Sequence, residues 1–236
     1  MKHKNNDNST EPVTDERIIR PGSGNEDSPL IMKRRRFLAR AAELGVMIIA
    51  SPLSIHSIAR AFTFQAHRRP TPSNDLGPFY KRGAPHRKVL RAKGDPGLPL
   101  KISGKVYSEK GYELPDATLE IWQTNAGGIY DTLGDRYRAQ LIANPNGKYE
   151  LESVIPGHYP ARVCQHVHYL VRADGHKPLV TQLYFATDPV FEGDPDKNFH
   201  RDPLITSREL VRPVTITGEP DSITSDVNFN LVLEAL

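Results

Sequence analysis

The chain is poor in cysteine. Cys164 stands alone among 236 residues, so no intrachain disulfide can form and no disulfide framework marks the compartment. Long hydrophobic runs are missing too. The most apolar stretch, residues 44–50, falls well short of the roughly 20 residues a membrane-spanning helix needs, and Arg40 and Glu43 flank it. Beyond residue 61 there is no long segment with the 3.6-residue helical period, no internal repeat, and no glycine-rich phosphate loop after a strand-like run. These absences argue against a helix bundle and against nucleotide chemistry. Most of the chain also lacks an excess of positive charge. Residues 1–61 hold 10 of the 31 Lys/Arg and 7 of the 28 Asp/Glu, which accounts for the net +3; the remainder carries 21 of each sign. The body therefore offers no basic surface for nucleic acid.

Residues 1–31 are polar and without apolar period, the composition of a disordered extension. Lys33-Arg34-Arg35-Arg36-Phe37-Leu38-Ala39 then leads into the short apolar run, and Ala59-Arg60-Ala61 follows. A basic region, a short apolar core and an A-x-A pattern make an export signal, with Ala61 at the cleavage edge. The paired arginines before Phe37 and Leu38 resemble the twin-arginine type, although Lys33 stands where Ser or Thr is usual and Ala39 where Lys is usual. The expectation is a leader over residues 1–61, export to the periplasm or the exterior, and no stable membrane span after signal removal. The alternative for the same residues is a basic amphipathic surface helix.

Twenty prolines and 17 glycines punctuate short apolar runs. Alternation predicts strands over residues 100–107, 118–122, 148–154, 165–172, 179–185, 211–216 and 227–233. Asn144-Pro145-Asn146-Gly147 is a strong turn signal. In the last run Val227, Phe229, Leu231 and Leu233 fall on one face. The pattern predicts one all-β domain over residues 62–236, an antiparallel β-sandwich with long loops. Residues 188–210 are long, polar and proline-bearing, as a functional or packing loop would be.

His166 and His168 sit one residue apart in an apolar strand, so both imidazoles project from the same face. Taken alone, such a pair is more often one core and one surface histidine. Tyr130 and Tyr159, closing Asn125-Ala126-Gly127-Gly128-Ile129-Tyr130 and Pro156-Gly157-His158-Tyr159, change the balance. Phenol ionises only near pH 10, so tyrosine is a poor ligand for most metals. A hard trivalent cation such as Fe³⁺ stabilises phenolate strongly. A ferrous site with two histidines and a carboxylate would need an acid from elsewhere, because Glu152 and Asp174 lie outside the segment from Tyr159 to His168. Zinc would more often show three histidines or several cysteines. Cys164 could share the histidine face as a soft copper ligand, or simply be a small buried residue.

Leu76-Gly77-Pro78-Phe79-Tyr80, residues 119–130 (LEIWQTNAGGIY), Pro156-Gly157-His158-Tyr159-Pro160, His166-Val167-His168 and Thr181-Gln182-Leu183-Tyr184-Phe185 occur in that order. Over residues 72–200 the chain thereby resembles the intradiol ring-cleavage dioxygenases, the family of catechol 1,2-dioxygenase and protocatechuate 3,4-dioxygenase. The resemblance implies a non-haem Fe³⁺ held by Tyr130, Tyr159, His166 and His168, with Tyr159 and His168 axial. It implies that Tyr159 also acts as an internal base and that Arg162 and Gln182 support substrate and intermediate. Gly77, Pro78 and Tyr80, together with Arg162, would line the substrate pocket. The substrates would be a catechol-type diol and O₂, the product a cis,cis-muconate-type diacid, and the assembly a homo-oligomer. Two departures stand out. The family arginine often lies three residues before the first histidine, whereas Arg162 lies four before His166. The helical dimerisation region of the catechol enzymes has no counterpart in residues 62–99.

Two other classes compete. Residues 102–107 and 115–120 resemble transthyretin-like modules without enzymatic activity. Cys164, His166 and His168 could instead make a periplasmic copper-binding protein.

Overall fold

The computed structural model describes residues 66–160, 162–219 and 222–236. The extension and export-signal segment, residues 1–61, lie outside the described residues. Among the described residues no helix is long and apolar enough to cross a membrane.

Among the described residues ten strands form two five-stranded sheets. The first is organised around β1 (Pro99–Ser108), whose alternating burial follows its alternating sequence. One edge of β1 pairs with β4 (Lys148–Val154). The other pairs first with β9 (Thr224–Asn228) and then with β10 (Leu231–Leu233), and β8 (Thr215–Thr217) lies beyond β9. The second sheet runs β3 (Arg138–Ile142), β2 (Thr118–Trp122), β5 (His166–Arg172), β6 (Leu179–Phe185) and β7 (Val211–Arg212). Ile102 and Val106 of β1, Leu119 and Ile121 of β2, Leu151 of β4 and Val167, Tyr169 and Val171 of β5 belong to one buried cluster. The two sheets therefore face each other across a shared core, as a sandwich does.

The expectation of a purely antiparallel sandwich is corrected: β1 is parallel to both β9 and β10, and β6 is parallel to β7. Two predicted strands also divide. Pro213 has no N–H to give a ladder, and the chain changes sheets there, from β7 in the second to β8 in the first. The terminal run breaks between β9 and β10 beside Gly104. A side chain at Gly104 would place its Cβ 2.1 Å from the Phe229 carbonyl oxygen, which also accepts the Tyr149 hydroxyl at 2.6 Å. Val227, Phe229, Leu231 and Leu233 are nevertheless all buried, as the alternation requires. Strand β3 has no counterpart in the sequence reading.

The segment 188–210 holds short turns and one helix, α1 (Pro195–Asn198), capped by the Asp194 side chain on the Lys197 N–H at 3.1 Å.

Because Gly104 sits where two backbones meet, Gly104→Ala should destabilise the domain by about 1–3 kcal/mol. A urea midpoint equal to that of the unsubstituted protein would show that the close approach carries no cost.

Candidate metal centre

Strand β5 alternates between two surroundings. Val167, Tyr169 and Val171 enter the core, while Leu170 belongs to a separate buried cluster with Trp122 and Tyr130 on the sheet's other face. His166 and His168 share that face with Leu170 by the period-two rule. Leu76, Phe79, Tyr80 and Tyr159 pack over the cluster from loops. Register fixes the neighbours. Trp122 of β2 and Gln182 of β6 lie directly opposite His168, and Tyr184 lies opposite His166. The Trp122 and His168 rings stack at 4.9 Å with 3° between planes.

The two tyrosines arrive on loops pressed backbone to backbone. Asn125 Oδ1 accepts the N–H groups of Gly127 and Ile129 at 2.9 and 3.0 Å and shapes the first loop. Gly128 has φ +77°, and a Cβ there would fall 1.8 Å from the His158 carbonyl oxygen; one on Gly157 would fall 2.4 Å from the Ala126 oxygen. This contact brings the Tyr130 and Tyr159 ring centroids within 5.5 Å. Tyr159 lies 5.8 Å from His166, Tyr130 6.3 Å from His168, and the imidazoles 4.8 Å from each other. The four rings that the sequence singled out thus converge.

Their donor atoms fit a metal. The Tyr130 hydroxyl and both nitrogens of His168 are buried without a hydrogen-bond partner, an unfavourable condition that a bound ion removes. His166 Nδ1 lies 2.7 Å from the Cys164 carbonyl. A carbonyl only accepts, so Nδ1 carries the proton and Nε2 keeps its lone pair. Burial pushes the His166 imidazole down from 6.5 to about 4, with the Arg162 charge adding to the effect. Burial and the neighbouring His166 hold His168 well below the ordinary value. Burial and the neighbouring Tyr159 push the Tyr130 phenol up; burial raises Tyr159 as well, against the opposing pull of Arg162. The protein alone therefore keeps all four groups neutral. Ionising the phenols requires a strongly charged cation.

Arg162 turns back beneath Tyr159, its N–H donating to the Tyr159 carbonyl at 3.0 Å. Its guanidinium donates to Gln182 Oε1 at 3.0 Å and to the Tyr184 hydroxyl at 2.8 Å, and Nη1 lies 3.4 Å from His166 Nε2. The longer link to His166 is tied down by two buried carboxylates. Asp202 accepts the Cys164 N–H at 3.2 Å and sits 3.6 Å from Arg162; Asp188 accepts the Gln165 N–H at 2.7 Å and the His158 ring at 3.0 Å. Nothing in the local sequence announces these aspartates, which lie 23 or more residues downstream.

Gly77 lies against the ligand face itself: with φ +72°, a Cβ there would come 2.9 Å from His168 Cε1. Gln182 Nε2 donates to the Asp75 carbonyl at 2.6 Å and anchors this loop. Tyr80 tilts on Trp122 at 5.1 Å and donates to Glu120 at 2.9 Å. Pro78 is exposed at the turn. Trp122, Phe79 and Tyr184 were not among the residues expected at the site. Phe79 stacks on Tyr130 at 4.2 Å, and the only sequence signal for it was its place in the LGPFY run.

Cys164 is not on the histidine face. It precedes β5 and packs into the main core. Among the described residues no three His, Cys, Asp or Glu side chains could hold a metal together. The copper alternative built on Cys164, His166 and His168 therefore has no geometric basis.

A family model described as dioxygenase matches residues 76–235. The hydroxyquinol 1,2-dioxygenase of Nocardioides simplex is 29% identical over 199 residues, which cover 73% of this chain and 68% of the relative. The catechol 1,2-dioxygenase of Acinetobacter baylyi is 32% identical over 147 residues, covering 50% of this chain and 47% of the relative, so the chain spans about half of that protein. Among solved structures, the dioxygenase domain of a carbohydrate-binding fusion from Streptomyces sp. SirexAA-E superposes with a TM-score of 0.61 at 30% identity, covering 71% of this chain and all of that one.

The neutral imidazoles set the acid limit of the metal-free protein. Below 6.5 an unfolded histidine takes up a proton that the folded site refuses until about 4. Stability should be full above about 6.5 and fall by about 3 kcal/mol toward pH 4 through His166 alone, with His168 adding in the same direction. Urea midpoints at pH 7.5 and 4.5 measure this. An equal loss in a His166→Asn, His168→Asn double variant would assign it to other groups.

Proposed function

The chain belongs to the intradiol ring-cleavage dioxygenase family, and from that premise we propose that Tyr130, Tyr159, His166 and His168 hold Fe³⁺ and that the protein cleaves a catechol-type ring between its two hydroxylated carbons. Both atoms of O₂ enter the diacid product. The observation that carries this reading is the convergence of two phenols and two neutral imidazoles whose donor atoms are largely unpartnered. The named relatives act on catechol and hydroxyquinol, which supports a catechol-type diol as substrate. The transthyretin-like reading rested on two strands and leaves the site residues unexplained.

When bound, ferric iron supplies the Lewis acidity that ionises phenols and catechol hydroxyls, and the electron exchange that lets the ring react with O₂. The chain's own residues do the rest. Tyr130 is buried and stacked on Phe79, so it is the fixed phenolate. Tyr159 is only partly buried and meets Phe79 and Tyr130 edge-on, at 85° and 77°. It is the one free to turn aside and take a substrate hydroxyl proton on its phenolate oxygen. His166 and His168 keep their lone pairs because burial excludes their protonated forms. Arg162, fixed by Gln182 and Tyr184, presents a permanent positive charge where negative charge develops on the opening ring. Trp122 and Gly77 flank the His168 ring and limit its rotation.

Export by a twin-arginine-type signal is part of the same proposal. The basic, apolar and small-residue pattern of residues 33–61 supports it. That route suits a protein loaded with its metal before transport.

Iron-loaded protein should be red-brown from tyrosinate and should consume one O₂ per catechol, with a product mass equal to substrate plus O₂. Absence of O₂ uptake across catechol, hydroxyquinol and protocatechuate would refute the activity. Tyr159→Phe should keep iron but slow turnover by about 100-fold, whereas His168→Ala should lose iron. Arg162→Ala should lower kcat by about 100-fold with iron retained, and Arg162→Lys should recover little of it, because an ammonium lacks the planar fork.

A further inference from the structure

A row of four residues crosses the second sheet on its site face: Arg138 of β3, Trp122 of β2, His168 of β5 and Gln182 of β6, each opposite the next in the ladder. Trp122, His168 and Gln182 already have places at the site. Arg138 has none, and its surroundings are unusual. It is buried to 3% exposure. Among the described residues no carboxylate lies within ion-pair distance of it. Its guanidinium donates instead to two carbonyls, Phe79 at 2.8 Å and Asp131 at 3.3 Å, and its Nε has no partner. A buried cation without a counter-ion is unfavourable unless an anion completes its surroundings.

Both carbonyls bear on Tyr130. Phe79 carries the ring that stacks on Tyr130 at 4.2 Å and 19°, and Asp131 is the next residue in the chain. The Asp131 carboxylate is turned away to the N–H groups of Leu133, Gly134 and Arg136, and Asp135 pairs with Lys81 at 3.1 Å, so both act on Arg138 only from beyond ion-pair distance.

We propose that Arg138 is the positioning residue for Tyr130: its two-carbonyl clamp keeps the Phe79 turn seated on the Tyr130 ring, and its charge, which no carboxylate pairs at close range, complements the phenolate that Tyr130 would present to the metal. This rests on the ligand assignment proposed above and extends it to a residue outside the ligand set. Tyr159 has no equivalent clamp; its one nearby guanidinium, Arg162, is shared with Gln182, Tyr184 and Asp202. Arg138 thereby contributes to the difference between a tyrosine that stays and one that leaves.

The test uses full-length iron-loaded protein with metal content measured, in the Tyr159→Phe background so that Tyr130 is the one tyrosinate ligand left. Arg138→Met should move the visible tyrosinate-to-iron band to longer wavelength, because removing a nearby cation raises the phenolate electrons. In the unaltered background it should lower kcat/KM at least 10-fold, mainly through kcat. Arg138→Lys, which keeps the charge but cannot clasp both carbonyls, should fall between Arg138→Met and the parent in both readouts. An unmoved band in Arg138→Met at full iron content overturns the proposal. If Arg138→Met does not fold, Arg138→Lys decides: identity with the parent in band and kcat/KM overturns it. If the parent itself binds iron without any tyrosinate band, the ligand assignment fails first and this inference falls with it. A normal parent band that no Arg138 substitution moves condemns the inference alone.

Discussion

Strand β5 has to satisfy two surroundings at once, and the site depends on its doing so. Val167, Tyr169 and Val171 are locked into the core, while His166 and His168 share the opposite face. A one-residue slip would exchange the two sets and bury the imidazoles among aliphatic groups. The register is held from both sides, by β2 through Trp122 and by β6 through Gln182. Tyr169 adds a contact across the sandwich, edge-on to Phe229 at 5.3 Å. Core packing that carries no chemistry thus fixes where the two rings proposed as metal ligands stand, and rigid elements hold a site more closely than loops do.

The electrostatics of the cluster follow from the same burial. Water is largely excluded, so each titratable ring is driven toward its neutral form: the histidines lose their protons and the tyrosines keep theirs. The four rings are then neutral and short of hydrogen bonds. A bound trivalent cation would reverse the balance for the phenols alone and leave the imidazoles as they were, and two phenolates would offset two of its three charges. Arg162 and Arg138 add fixed positive charge at the edges, where it favours anionic oxygen over neutral phenol.

Strands whose inward residues are apolar and outward residues polar could be read directly, and residues 118–122, 148–154 and 179–185 match the structure at both ends. Strand β3 could not, because Arg138 and Gln140 interrupt its apolar residues and a buried arginine looks like a surface one. The sheet change at Pro213 and the break at Phe229 depend on which backbone lies alongside, which local alternation does not record. Parallel pairing fails to show for the same reason: β1 meets β9 more than 100 residues later. The convergence of the four rings was legible because each tyrosine ends a loop whose glycines have a definite task, and because the motifs keep their order. The supports were not. Asp188 and Asp202 take up N–H groups that the longer link from Arg162 to His166 exposes, and an isolated aspartate in a loop carries no such signature.

The proposed division of work between the two tyrosines follows from one backbone contact that serves both. Gly128 and Gly157 let the loops touch main chain to main chain, so neither loop can shift without the other. Any motion that makes room for substrate must then come from a side chain turning about its own bonds. A ring stacked face to face and buried, as Tyr130 is on Phe79, loses contact over its whole surface when it turns. A ring that is partly exposed and meets its neighbours by the edge, as Tyr159 does, loses less and regains water. In the proposed mechanism the shared backbone contact holds the frame of the four rings constant, and the difference in ring packing favours Tyr159 over Tyr130 as the part that moves.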